Sequence, residues 1–254
     1  MRFFKISLIV AFLLVPVGAF AWGPLTHFYL GNEIFSLSPL LPAGLFEIIR
    51  RYRKDFLYGN LMADIIIGKQ YLPDHKSSHS WDVAFDLFRV SKTDQQKAFV
   101  YGYMSHLAAD TVAHNVYTAD RKNIGHTVME MKADCIIDKK YWFQAIAIDR
   151  KIQMRNDLFL ESSLDRLVFS FKTNKRIFKG MVFLSVFNRE RIGNFIDRNL
   201  ITTLPDRDAI EQLHQESLDK IIDLFQNWKK SEVLKVSPSG NERESLLKTF
   251  LKAG

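Results

Sequence analysis

The chain reads as all-α, a single multi-helix domain, and three observations carry that reading. Apolar residues recur at helical spacing along almost its whole length, and no run alternates polar with apolar as strands do. Clusters of Pro and Gly punctuate that pattern where helices would end, as at Pro39, Pro42 and Gly44. The most apolar helical stretch carries His106, Asp110 and His114 at four-residue intervals, so the bundle has a candidate centre. At 254 residues and 47% hydrophobic, the chain is large enough for one sizeable core and does not require two. It contains no fixed-period repeat and no low-complexity tract.

Residues 1–21 differ in kind from the rest. Arg2 and Lys5 precede the apolar run Ile6 to Val15, which Pro16 and Gly18 interrupt before the small-residue pattern Ala19-Phe20-Ala21. That is the layout of a signal peptide cleaved after Ala21. The alternative, an uncleaved anchor, needs a longer unbroken run. Cleavage leaves 22–254, beginning at Trp22, and lowers the formal net charge from +7 to +5 because two basic and no acidic residues go. That excess is permissive for an anionic substrate, a phospholipid surface or nucleic acid, without selecting one. Cys135 is the sole cysteine, so no intramolecular disulfide can form and stability must come from packing or metal. The expected address is the periplasm or the cell exterior.

After Trp22-Gly23-Pro24, Thr26 is expected to cap a helix to about Ser36, and a second covers about Leu45 to Tyr52. Phe56 to Ile67 is apolar, carries Asp64 and stops at Gly68. A loop containing His75 and His79 leads to a helix over Trp81 to Val90, with Trp81, Phe85 and Phe88 at packing intervals. The central helix is expected over Thr93 to Thr118. A turn at 121–125 opens a long helix from His126 to Ile148, and helical runs follow near 157–171, 174–200 and 206–229. The last presents Ile210, Leu213, Leu218, Ile221, Ile222, Phe225 and Trp228 as an apolar face, on which reading His214 belongs to the solvated side. A short helix closes the chain after the loop Ser237 to Gly240.

The central stripe is the strongest chemical signal. Each four-residue step turns a helix about 40° beyond a full turn and climbs about 6 Å, so His106, Asp110 and His114 share one face. Imidazole and carboxylate at this spacing suit zinc. A stripe facing water is the alternative, but Leu107, Ala108, Ala109, Val112 and Ala113 fill the intervals and leave little polar surface. Six of the seven histidines precede residue 127, beside acidic residues or each other. His126 and Glu130 repeat the four-residue pairing, which also suits an ordinary helix-opening charge pair. Asp64 sits in LMADIII, where a buried carboxylate needs a metal, a cap or a hydrogen bond. One of His75 and His79 is the expected ligand of its loop. His27 alone would be only a histidine near a helix start.

In their order along the chain, Trp22, His27, Asp64, His79, His106, Asp110, His114, His126 and Glu130 resemble the zinc-dependent phospholipase C family and its relatives, the zinc-dependent single-strand nucleases. The stretches SHLAADTVAH and Ser78-His79-Ser80-Trp81 are similar to the catalytic domain of glycosylphosphatidylinositol-specific phospholipase D. The resemblance spans about residues 22–135; the helices from 150 to 254 match nothing nameable. It implies a cluster of up to three zinc ions. Asp64, His79, His106 and Asp110 would hold one, and His114, His126 and Glu130 a second. The third would fall to His27 and the amino group and carbonyl of Trp22, with Asp110 bridging. It also implies a metal-activated water that attacks a phosphodiester, oriented by Asp64 as the catalytic carboxylate. Leu25 stands where choline-selective members carry an acidic residue, which argues against choline selectivity. The Trp22-x4-His27 spacing is nuclease-like and Glu130 is phospholipase-like.

The expected protein is therefore an exported zinc phosphodiesterase acting on phospholipids, touching a membrane surface transiently and needing no obligate protein partner. A zinc-dependent nuclease or nucleotidase, with nucleic acid as partner, is the rival enzyme. A non-catalytic zinc-binding helical protein is the rival from another class.

Overall fold

The computed structural model describes residues 22–65, 78–114, 133–163, 175 and 207–239, and all regular structure among them is helical. The helices are α1 (Pro24–Glu33), α2 (Ala43–Arg51), α3 (Arg53–Met62), α4 (Trp81–Val90), α5 (Asp94–Val112), α6 (Lys139–Ile146), α7 (Arg150–Ser163) and α8 (Arg207–Asn227), with short 3₁₀ turns at Ala63–Ile65 and Glu232–Lys235 among others. No described helix is long and apolar enough to cross a membrane. The signal segment 1–21, His75, the stretch 115–132 with His126 and Glu130, the run 174–200 save Lys175, and the terminal helix lie outside the described residues.

Helix α5 is the axis of the fold. Thr93 opens it with a capping box, its hydroxyl accepting from the Gln96 amide while the Gln96 side chain returns to the Thr93 amide. From Ala98 to Val112 every residue is buried, so the helix has no solvent face and must be covered on all sides. Helix α3 crosses it at backbone contact through two glycines. A Cβ on Gly59 would lie 2.0 Å from the Phe99 carbonyl oxygen, and one on Gly102 would lie 1.9 Å from that of Phe56. Only glycine allows this approach, and it brings Asn60 and Asp64 alongside His106. Helix α8 packs across α5 through Tyr101 against Phe225, with ring centroids 6.0 Å apart, and Trp228 closes on Phe85, Phe88 and Tyr101. Helix α7 is tied to α3 where Asp55 accepts from Arg155 at 2.5 Å and Asn156 at 2.6 Å. The Trp81 indole donates to the Val236 carbonyl at 2.9 Å, joining α4 to the last described turn.

Three expectations about helix ends are corrected. Thr26 is not the cap of the first helix: α1 begins at Pro24, whose fixed φ suits the first helical position, and Thr26 lies within it with its hydroxyl turned to Asp134. The expected helix to Ile148 is interrupted. Residues 133–136 are helical, but Asp138 leaves the helix and caps α6 by accepting from the Lys140 amide at 2.7 Å. The run expected from 157 starts at Arg150 instead, because the Asp149 side chain accepts from the Lys151 amide at 2.6 Å.

Candidate metal centre

Five predicted site residues converge at the middle of α5. His106 and Asp110 come from α5 itself, His27 from α1, Asp64 from the 3₁₀ turn that ends α3, and His79 from the turn before α4. None is more than 2% exposed. Asp64 faces two imidazoles and His79 enters the cluster, while His75 lies outside the described residues.

The distances among these atoms test whether a metal fits. His79 Nε2 lies 3.2 Å from His106 Nε2, 3.2 Å from Asp64 Oδ1 and 2.9 Å from Asp110 Oδ2. His106 Nε2 lies 3.6 Å from Asp64 Oδ1 and 3.1 Å from Asp110 Oδ2. Four ligands at zinc's usual 2.0–2.1 Å, set tetrahedrally, stand about 3.3 Å from one another. The four atoms thus reproduce five of the six edges of such a tetrahedron. One side of the ring is fixed. The Asn60 carbonyl can only accept, so the hydrogen of its 2.9 Å bond belongs to His106 Nδ1, and Nε2 faces the Asp64 and Asp110 carboxylates and the His79 ring. A metal ion or a proton on Nε2 would balance the two carboxylates there. The same bond leaves His106 one ligating atom, so this ring serves one ion.

Asp110 divides its two oxygens. Oδ2 faces His79 and His106, while Oδ1 lies 3.1 Å from His27 Nε2. His27 stacks on His106 with centroids 3.5 Å apart, and His27, His106 and Asp110 form a second group of mutually close ligand atoms beside Asp64, His79 and His106. A carboxylate with imidazole nitrogens facing both of its oxygens has the arrangement that a bridging role, implied for Asp110 by the resemblance, would require. The electrostatics follow. Burial alone would raise Asp110, yet His106 and His27 hold its carboxyl well below the usual range. Burial likewise pushes His106 down, but Asp110 and Asp64 outweigh it and raise the imidazole. Burial and then repulsion from His106 lower His27.

His114 is buried one turn beyond Asp110 and joins neither group among the described residues; its expected partners lie outside them. Trp22 is fully buried. Its indole N–H donates to Ser217 Oγ at 3.1 Å, and that hydroxyl gives its own hydrogen to the Leu213 carbonyl at 2.9 Å.

Two residues escaped the sequence reading. Asp134, buried, accepts from the Leu25 amide at 3.3 Å and from the Thr26 amide and hydroxyl at 2.8 Å each, capping α1 from a distant part of the chain and fixing the helix that carries His27. Burial pushes its carboxyl up to about 6 despite these bonds. A Cβ on Gly23 would meet this carboxylate at 2.3 Å, so the glycine makes room for it.

His214 is the correction. It is not on a solvated face but 4% exposed, its ring 5.0 Å edge-on from Trp22 and 5.6 Å from Tyr29. Burial lowers it to about 4, so it stands neutral at physiological pH. The placement follows from spacing, since Ile210, His214 and Leu218 are one turn apart and all buried. His214→Ala should lower stability by about 2–3 kcal/mol through the cavity left beside Trp22. Thermal melts of the variant check this, and an unchanged midpoint would contradict the placement.

The family model described as zinc dependent phospholipase C matches residues 26–176. No curated protein and no solved structure matches the chain.

Proposed function

The chain belongs to the zinc-dependent phospholipase C family, and from that membership we propose that it is an exported phosphodiesterase cleaving the head-group ester of phospholipids at the Asp110 cluster. The family acts on phospholipids, zinc is its metal, and the His/Asp groups described above are fitted to hold it. The observation that carries the proposal is the tetrahedral spacing of Asp64, His79, His106 and Asp110 atoms, with His27 on the other side of the same Asp110. His114, with His126 and Glu130, would complete the set.

Bound zinc supplies a Lewis acid for the phosphoryl oxygens and lowers the pKa of water towards neutrality. The protein's own groups do the rest. Asn60 locks the His106 ring through Nδ1, so Nε2 cannot turn away from the site. Asp110 holds His27 and His106 on its opposite oxygens. Asp64 orients the attacking water and takes its proton as the water oxygen bonds to phosphorus. The bond from phosphorus to the glycerol oxygen then breaks, that oxygen takes up a proton from solvent, and a phosphorylated head group and diacylglycerol are released. Purified protein offered phospholipid vesicles, single-stranded DNA and RNA, and nucleotides should hydrolyse the lipid in preference to the rest. Rapid degradation of single-stranded nucleic acid with no action on any phospholipid would overturn this in favour of a nuclease.

Trp22 links export to chemistry in this proposal. Its α-amine, with a pKa of about 7.7–8.0 in a free terminus, would release its proton to solvent and offer its lone pair to zinc once cleavage after Ala21 exposes it. A residue added before Trp22 turns that amine into an amide, a poor ligand. Protein beginning at Trp22 should bind about three zinc ions, and the same protein with one extra alanine about two, with most activity lost. Equal zinc content and turnover in both preparations would remove Trp22 from the ligand set.

A further inference from the structure

Helix α6, Lys139–Ile146, has the sequence KKYWFQAI and no fully buried residue, although five of its eight positions are apolar. Its inward side is settled by contacts. Tyr141 donates to Glu33 at 2.7 Å and meets Tyr29 edge-on at 5.2 Å, which seats the helix on α1, the helix that carries His27. At about 100° per residue, Ala145 shares that side, whereas Lys139, Lys140, Phe143 and Ile146 fall within an arc of roughly 120° on the other. Phe143 is 59% exposed and Ile146 55% exposed, and Trp142 sets its ring edge-on to Phe143 at 5.2 Å. Four exposed cations flank the pair along the chain: Lys139 and Lys140 before it, the latter with its ammonium 4.9 Å from the Tyr141 ring centroid, and Arg150 and Lys151 after it at the start of α7. The nearest acids, Asp138 and Asp149, have turned to cap helix ends, accepting from the Lys140 and Lys151 amides.

A surface helix that seats one side on its neighbour and shows aromatic and aliphatic groups together with cations on the other has a face suited to a lipid interface. We propose that the outer face of α6 docks the protein on an anionic bilayer surface, Phe143 and Ile146 entering the head-group layer while the four cations meet lipid phosphates. The proposal rests on the phospholipid reading of the site and adds the surface by which that site is presented to its substrate. Charge selects the occupant. A flanking set of cations beside an apolar pair complements anionic lipid, whereas it would repel its own image in a second copy of the chain.

The test is sedimentation with vesicles of phosphatidylcholine alone or mixed with phosphatidylglycerol. Phe143→Ala/Ile146→Ala should bind the anionic vesicles at least about tenfold more weakly than wild type, with an unchanged melting midpoint. Lys139→Glu/Lys140→Glu should lose the preference for anionic vesicles and most of the salt dependence. Hydrolysis of a short-chain phosphatidylcholine kept monomeric in solution should be the same in all three. Equal vesicle binding by wild type and both variants overturns the proposal. So does a concentration-dependent dimer that the apolar double variant abolishes, which would make a second copy the occupant. Binding is read without turnover, so vesicle binding with no lipid hydrolysis would fault the phospholipase reading and leave this face standing.

Discussion

Asp110→Asn should abolish lipid hydrolysis, lowering kcat/KM on the order of a thousandfold or more, and should strip about one zinc ion from the protein. The substitution keeps the size of the side chain and one acceptor oxygen but replaces the other by a donor. Asp110 is the residue whose two oxygens face different ligands, His27 on one side and His79 with His106 on the other. An amide serves only one of those directions. Transition-state charge stabilised by metal is worth several kcal/mol, and each 1.36 kcal/mol is tenfold in rate. Elemental analysis and turnover on the best substrate check the pair of effects together. Full zinc content with wild-type turnover would show that Asp110 bridges nothing. His214 is unsuitable as a neutral control for this experiment because it packs on Trp22; Gln144, exposed on α6, serves instead.

Gly102→Ala should be the most damaging single methyl group in the described fold. Its Cβ would stand 1.9 Å from the Phe56 carbonyl oxygen, and a backbone atom between two packed helices cannot step aside as a side-chain tip would. Overpacking of this kind costs about 1–3 kcal/mol and sometimes more. The upper end is expected here, a fall of roughly 10 °C in melting midpoint for a domain of this size. The effect should reach the site. Pushing α3 from α5 stretches the Asn60 to His106 bond, now 2.9 Å, and loss of such an orienting partner typically weakens metal affinity about 10–100-fold. Gly44→Ala is the matched control, since a Cβ there meets nothing within 4 Å, and it should be neutral or slightly stabilising. Indistinguishable melts for the two variants would mean that α3 and α5 do not cross as described.

The sequence was most legible where chemistry repeats at the period of the structure. The stripe His106, Asp110, His114 could be placed on one face of a helix from spacing alone, and that helix was expected to open at Thr93, where the structure shows a capping box with Gln96. The order of ligand types along the chain then joined His27, Asp64 and His79 to it through a family resemblance, and the structure brings these three to the same atoms. What escaped has identifiable causes. Asp134 works on amides 108 and 109 residues away, and no local pattern marks a carboxylate that caps another helix. Thr26 looked like a cap because threonine near a helix start usually is one, whereas Pro24 sets the start and Asp134 satisfies the amides. His214 sits among Glu211, Gln215 and Glu216, and these charged and polar neighbours masked its register with Ile210 and Leu218. The break at Asp138 was hidden by an apolar pattern that continues on both sides of it.

The cluster has a direct physical signature in zinc-edge anomalous diffraction from crystals of the purified protein. The account predicts one peak enclosed by Asp64, His79, His106 and Asp110, and a second on the far side of Asp110, beside His27. Crystals grown with zinc that show no peak at Asp110, with the five side chains bonded only to one another, would contradict it.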